Sequence, residues 1–304
     1  MVLVASVVGS LDAAERGWLA VAGSIALICP LAAGHGGAVG SVLRSKPIVG
    51  IGDVSYGMYL WHWPIVVLVP LALGAFDVIA EIKQRSPAEG QLGCQSPYSE
   101  SKGVSHLISR AQAYAAGGAV AISVLTEPSR FEGELVHLEE VAAAVPATPV
   151  MRKDFLVHPV QVLEARAAGA SGVLLITTML DDATLRAMLD CAFEHGMFVL
   201  LESFDEDDLH RSARFLDLDG QLLIGVNTRN LRTLEVDGDR LQRLATHLPD
   251  AVCVAESGLR EPDDAARVAG WGYTMALVGT ALMRSDDPTA LVAAMRKAGA
   301  VACS

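Results

Sequence analysis

Basic residues are scarce in this 304-residue chain. Its 23 lysines and arginines face 35 aspartates and glutamates, for a net charge of −12. A nucleic-acid partner would need a basic face, so the charge balance argues against that class and none is expected. A phosphorylated small molecule is not, because backbone amides can hold one. The five cysteines are odd in number and show no C-x-x-C spacing. That argues against a disulfide framework or a cysteine metal cluster; Cys191 and Cys253 read as reduced core filler. The start lacks a basic n-region and a clear cleavage site, so a secretory signal is not expected. Charged residues make up only 19%, against 52% apolar, enough to bury a large core in one large or two modest domains.

What is present is organised around residues 77–87, DVIAEIKQRSP. Val78 to Lys83 reads as a strand. Side chains two apart share a strand face, so Glu81 and Lys83 point the same way. Two opposite charges on one face of an apolar strand suit the open end of a barrel; a solvated edge strand with an incidental ion pair is the alternative. From here Val/Ile/Leu runs near 77–82, 118–125, 148–152, 172–176, 197–202, 222–227, 251–256 and 274–279 alternate with amphipathic stretches. The stretches lie near 103–116, 134–144, 159–168, 181–195, 205–216, 237–247, 261–270 and 287–299. Eight strand–helix units with short connections predict an α/β fold, a closed (β/α)8 TIM barrel over residues 76–304. The glycines at 115–118 and 167–170 suit helix C-caps. A doubly wound open sheet is the alternative, but it uses fewer strands and no G-x-G-x-x-G follows the first one.

Catalytic groups of such barrels sit at the C-terminal strand ends. Those ends carry Glu81, Lys83 and Ser86; Arg152-Lys153-Asp154; Glu202; Asn227 and Arg229; Glu256-Ser257-Gly258; and Gly279-Thr280. Six of eight ends are polar, and convergence on one rim is what a site looks like. Ser257-Gly258 and Gly279-Thr280 are small enough for backbone amides to approach a phosphate, or are small simply for tight turns. Lys83, Lys153, Glu81, Glu202 and Glu256 suit general acid–base chemistry. A Schiff-base lysine is an alternative use of Lys153. The rim has no histidine pair and no carboxylate cluster at ligand spacing, so no metal and no cofactor are expected.

Residues 1–75 are a different kind of sequence. Gly17 to Gly34 is almost uncharged, and a second apolar run spans Ile48 to Phe76. Both approach bilayer-spanning length, and Tyr56, Tyr59, Trp61 and Trp63 cluster like an interfacial belt. An N-terminal hydrophobic helical segment, with membrane attachment through residues 17–75, is therefore expected beside a cytoplasmic barrel. Two observations pull against it. Pro70 to Phe76 leaves little linker before the first strand. Arg44 and Lys46 would favour a cytoplasmic loop, which puts the barrel outside. A joining of two reading frames is the other explanation. Oligomeric state is not readable.

The phrases themselves carry two resemblances. IGDVSYGMYLWHWPIVVLV (51–69) resembles a segment of integral-membrane acyltransferases, without that family's other helices or catalytic histidine. The phrases IAEIKQRSP, GGAVAISVLTEPSRFEG, PVMRKDFLVHPVQVLEARAAGASGVLLI, LIGVNTRNLRTLEVD, VAESGL and LVGTALMRSDDP resemble, in order, those of indole-3-glycerol phosphate synthases over about residues 77–299. That resemblance implies a cofactor-free reaction of tryptophan synthesis. The ring of 1-(2-carboxyphenylamino)-1-deoxyribulose 5-phosphate closes with loss of carbon dioxide and water. It implies Lys153 as general acid, Glu202 as general base with Glu81 as its partner, and Lys83 holding the substrate carboxylate or serving dehydration. Asn227 and Arg229 would orient substrate. Ser86, Glu256, Ser257, Gly258, Gly279 and Thr280 would surround it and its phosphate, and Phe131 and Leu231 would wall the anthranilate ring. A related phosphate-binding barrel of different substrate, or an impaired membrane-attached barrel, remains open. Three departures bear on this. Ala88-Glu89 replaces the family's Ser-Lys, Ser203-Phe204 follows Glu202, and residues 1–75 stand where a mouth-covering helix is usual. Weaker substrate binding is expected from them.

Overall fold

The computed structural model describes residues 76–87, 90–92, 104–229, 233 and 235–303. The apolar segment of residues 17–75, the acyltransferase-like phrase and Leu231 lie outside them. Among the described residues, no helix is long and apolar enough to cross a membrane.

Eight parallel strands close into a barrel: β1 (Asp77–Ile82), β2 (Ala121–Leu125), β3 (Val150–Lys153), β4 (Gly172–Ile176), β5 (Phe198–Ser203), β6 (Leu222–Asn227), β7 (Cys253–Glu256) and β8 (Met275–Val278). Each pairs with its neighbours in sequence, and β1 closes on β8. Both faces of these strands are covered, which is why they read as near-continuous apolar runs. Around them lie α1 (Val104–Ala116), α2 (Leu135–Ala144), α3 (Pro159–Ala167), α4 (Asp182–Glu194), α5 (Glu206–Ala213), α6 (Arg240–Leu244), α7 (Pro262–Gly270) and α8 (Pro288–Cys303).

The helices obey simple local rules. In α4, Leu185, Met188, Leu189 and Ala192 recur every three or four residues and form the buried stripe. Asp181 caps it by accepting from the Thr184 N–H at 2.7 Å, a contact worth about 1 kcal/mol. Pro159 and Pro262 open α3 and α7, where a missing N–H costs nothing. Gly118 and Gly169, at φ 85° and 89°, turn the chain after α1 and α3 into the next strand, as their sequence positions suggest. At the N-terminal end of the barrel, Arg296 of α8 holds Asp77 of β1 at 2.7 Å. The buried Tyr273 hydroxyl donates to the Leu241 carbonyl at 3.0 Å and ties down α6.

The sequence places the eight strands and eight helices correctly, with local differences. The 205–216 and 237–247 stretches shorten to α5 and α6, the latter prolonged by a 3-10 turn at Ala245–His247. Asp237-Gly238-Asp239 favours a turn over a helical start, and the Asp237 N–H is held by the Thr228 carbonyl at 2.9 Å. Two short helices, Pro128–Phe131 and Thr280–Arg284, and a ribbon of Arg85–Ser86 against Gly90–Gln91 decorate the mouth. They are too short for periodicity to reveal.

Candidate active site

A cavity of about 810 Å³ opens at the C-terminal strand ends. Its charged wall begins at β1. The two Glu81 oxygens are divided between two lysines: Oε1 lies 2.6 Å from Lys83 Nζ and Oε2 lies 3.0 Å from Lys153 Nζ. Lys153, at the end of β3, also reaches Glu256 Oε2 of β7 at 3.4 Å. Three strands far apart in sequence thus meet through one ammonium group.

Burial sets these groups apart from surface ion pairs. For Glu81, burial alone would raise the pKa. The ammonium groups of Lys153 and Lys83 outweigh it and hold the carboxyl at about 2. For Lys153, burial would lower the pKa, but Glu81, Glu256 and Glu202 together raise it, so it keeps its proton. Glu256 goes the other way from Glu81. Burial, then the neighbouring Glu202 carboxylate, push it well above the ordinary 4.5, against the pull of Lys153. Glu202 Oε2 and Glu256 Oε1 are buried with no hydrogen-bond partner, which leaves acceptor capacity at the barrel centre.

Two glycines make room for these carboxylates. A Cβ at Gly225 of β6 would overlap Glu256 Oε1, and a Cβ at Gly279 would overlap Glu81 Oε1 and come within 2.9 Å of Lys83 Nζ. Strand register explains the first. Gly225 pairs with Glu202 on one side and lies two residues before Asn227, whose partner is Glu256.

The loops are locked from outside. Asp154 Oδ2 accepts from the Thr126 hydroxyl at 2.6 Å and from Arg152 at 3.0 Å, and its Oδ1 accepts from the Phe155 N–H at 2.8 Å. Arg152 continues to Thr126 Oγ1 at 3.0 Å and to the Gln161 carbonyl at 3.1 Å. Lys153 therefore projects from a strand end whose neighbours are fixed on both sides. Glu127 caps the 128–131 helix by accepting from the Ser129 and Arg130 N–H groups, which presents Phe131 to the cavity.

The other end of the cavity is made of backbone and small residues. Ser257 and Gly258 take consecutive left-handed conformations, φ 67° and 84°. The Ser257 hydroxyl and the Arg229 N–H both donate to Asn227 Oδ1 at 2.8 Å. With its carbonyl occupied twice, Asn227 offers its amide N–H₂ to the cavity that it lines. Gly279 and Thr280 close this end beside Arg260 and Arg284.

Of the residues picked from sequence, Glu81, Lys83, Phe131, Lys153, Glu202, Asn227, Arg229, Ser257, Gly258, Gly279 and Thr280 line the cavity. Glu256 sits behind this wall, wholly buried, and meets it through Lys153. Ser86 does not line the cavity. It is buried in the ribbon opposite Gly90, because the chain leaves the strand after Lys83 and period-two reasoning stops there. Leu231 lies outside the described residues. Sequence reasoning missed Phe155, Ile176, Arg260 and Arg284 in the lining. Phe155, Arg260 and Arg284 each follow a quoted strand end by two to six residues, so reading further into each loop would have found them.

Comparisons with known proteins bear on the family and the fold. A model of the family described as indole-3-glycerol phosphate synthase matches residues 72–295. An indole-3-glycerol phosphate synthase of Nocardioides sp. is 48% identical over 220 residues, 72% of this chain and 79% of that protein. One from Mycobacterium leprae is 44% identical over 237 residues, 78% and 82% of the two chains. Among solved structures, 3-hexulose-6-phosphate synthase from Salmonella typhimurium superposes with a TM-score of 0.56 at 15% identity, covering 73% of this chain and 97% of that one. Thiamine phosphate pyrophosphorylase from Pyrococcus furiosus gives 0.52 at 14%, covering 76% and 98%. At those identities the two structures speak to the barrel fold alone.

Proposed function

We propose a function that starts from the family: the chain belongs to the indole-3-glycerol phosphate synthases. Residues 76–304 form the catalytic domain, a carbon–carbon lyase of tryptophan synthesis. It closes the ring of 1-(2-carboxyphenylamino)-1-deoxyribulose 5-phosphate and releases carbon dioxide and water.

The chemistry has three demands. The aromatic carbon bearing the carboxylate must attack the ketone, whose oxygen then needs a proton. The carboxylate must leave as carbon dioxide to restore aromaticity. The new hydroxyl must leave as water while a proton is taken from the adjacent carbon. Lys153 is assigned the first role, since it lines the cavity and is held as an ammonium, above all by Glu81. Glu81 stays ionised and fixes both lysines, leaving Lys83 to face the substrate carboxylate or to serve dehydration. Glu202, with a buried oxygen free of partners, is assigned as the base. Asn227 and Arg229 orient the ribulose chain. Ser257, Gly258, Gly279 and Thr280 surround the phosphate, and Phe131 walls the aromatic ring. No metal enters this scheme.

The observation that carries this reading is the single ammonium of Lys153 bridging Glu81 and Glu256 at the floor of the cavity. The test is direct. Purified chain given the substrate should produce indole fluorescence, and the gene should rescue a tryptophan auxotroph lacking the synthase. Failure of both, with a folded barrel by circular dichroism, would overturn the assignment in favour of a related phosphate-binding barrel. Residues 1–75 are read as a separate segment, acyltransferase-like in sequence and apolar enough for membrane attachment. In support, Gly17 to Gly34 and Ile48 to Phe76 are almost uncharged. Fractionation of the full chain with membranes would bear that out, and a wholly soluble product would sink it.

A further inference from the structure

Outside the cavity, Glu206, His210 and His247 bring three ligand-type side chains together. Glu206 opens α5 and His210 follows one turn later, and residues four apart share a helix face. His247 comes from the 3-10 turn after α6, which packs against α5. One donor atom from each lies within 4.8 Å of the other two. His247 Nδ1 and Glu206 Oε1 are 3.1 Å apart. The rings of His210 and His247 stand 6.4 Å apart and nearly perpendicular, at 88°.

Donors bound to one zinc at about 2.0–2.1 Å in a tetrahedron sit roughly 3.3–3.5 Å from one another. The Glu206–His247 edge is therefore already close to ligand spacing. His210, an exposed side chain, closes the triangle by a rotamer adjustment. An ion pair would account for His247 and Glu206 alone; it leaves the convergence of His210 unexplained. Two imidazoles and one carboxylate suit zinc and its borderline neighbours, whereas magnesium and calcium prefer all-oxygen sites.

We propose that Glu206, His210 and His247 form a zinc site, with water completing the coordination, that clips α5 to the turn after α6. It lies outside the catalytic cavity, since none of the three lines it. It is a binding and stabilising site and takes no part in ring closure, so it stands or falls independently of the catalytic reading.

The test uses the untagged full chain, stripped with a chelator and titrated with zinc chloride against a chromophoric competitor. The wild-type chain should bind one zinc more than His210→Ala/His247→Ala, and zinc should raise the melting temperature of the first only. The cysteines and remaining histidines are common to both proteins, so the difference isolates this site. His210→Ala alone, at an exposed position, should weaken binding by at least the ~10–100-fold that loss of even an outer partner costs. Glu206→Gln should weaken it less, while turnover stays at the wild-type level in all three. Equal zinc stoichiometry and affinity in wild-type and double-variant chains, or no binding to the wild-type chain, would overturn the proposal.

Discussion

The two ends of the cavity are built in opposite ways. The floor, at β1, β3, β5 and β7, concentrates Glu81, Lys153, Glu202 and Glu256 away from water and lets them hold one another. The rim at β6, β7 and β8 relies on backbone, with two consecutive left-handed residues and a hydroxyl-anchored asparagine. Buried charges act strongly because little water screens them, but each depends on the others staying in place. Backbone donors are individually weaker and cannot change protonation state. The floor should therefore govern turnover, and the rim should govern affinity.

The sharpest way to break that contrast is to remove the shared cation. Lys153→Ala should lower kcat by about 10²–10⁴, the range of a general acid, with the fold intact by circular dichroism. Near-normal turnover would end the assignment of Lys153. Next in size is Gly225→Ala. Its methyl group would overlap Glu256 Oε1 and displace the carboxylate. Overpacking of this kind costs about 1–3 kcal/mol, so both the urea midpoint and kcat should fall while KM changes little. Unchanged kcat would mean that the position of Glu256 does not matter to the floor.

The floor and the rim also differ in how far the sequence reveals them. Strands β1, β4 and β6 begin and end where their Val/Ile/Leu runs do, because both faces of each are buried. The pairing of Glu81 with Lys83 follows from period-two alternation alone. The sharing of Glu81 between Lys83 and Lys153 does not, nor does the opposite behaviour of Glu81 and Glu256. Both depend on register summed around a closed barrel, which brings together groups about seventy to a hundred residues apart. Ser86, past the strand in the ribbon opposite Gly90, lies beyond the reach of the strand rule, and the loops carrying Phe155, Arg260 and Arg284 have no periodicity to read. Stiff elements were legible because local chemistry decides them; the site's wiring was not, because tertiary closure decides it.

A third test uses pH to separate two carboxylates on the same floor. The pKa of Glu81 is held at about 2, below its ordinary 4.5, so its contribution to stability is present above pH 4.5 and is lost as pH falls toward 2. The pKa of Glu256 is raised, so its contribution is present below 4.5 and is lost as pH rises through the folded value. Glutamine cannot ionise. The stability of Glu256→Gln relative to the wild-type chain should therefore increase as pH rises above 4.5, read as the slope of the difference in urea midpoints. A flat difference would mean that Glu256 is an ordinary carboxylate.

The smallest effect belongs to the rim. Ser257→Ala removes the hydroxyl that donates to Asn227 Oδ1, a neutral hydrogen bond worth about 0.5–1.5 kcal/mol. KM should rise by about two- to tenfold and kcat should hold, since Asn227 loses orientation while the floor is untouched. A second variant separates hydroxyl from backbone. Ser257 sits at φ 67°, a conformation that glycine adopts without penalty and other residues adopt at a cost. Ser257→Gly therefore lacks the hydroxyl and also the strain. If it matches Ser257→Ala in KM while gaining stability, the hydroxyl is what the rim uses. If Ser257→Gly instead restores the wild-type KM, the backbone alone forms the rim and Asn227 needs no anchor. A large fall in kcat in either variant would erase the division between floor and rim, because a hydroxyl on the affinity side would then be setting the rate.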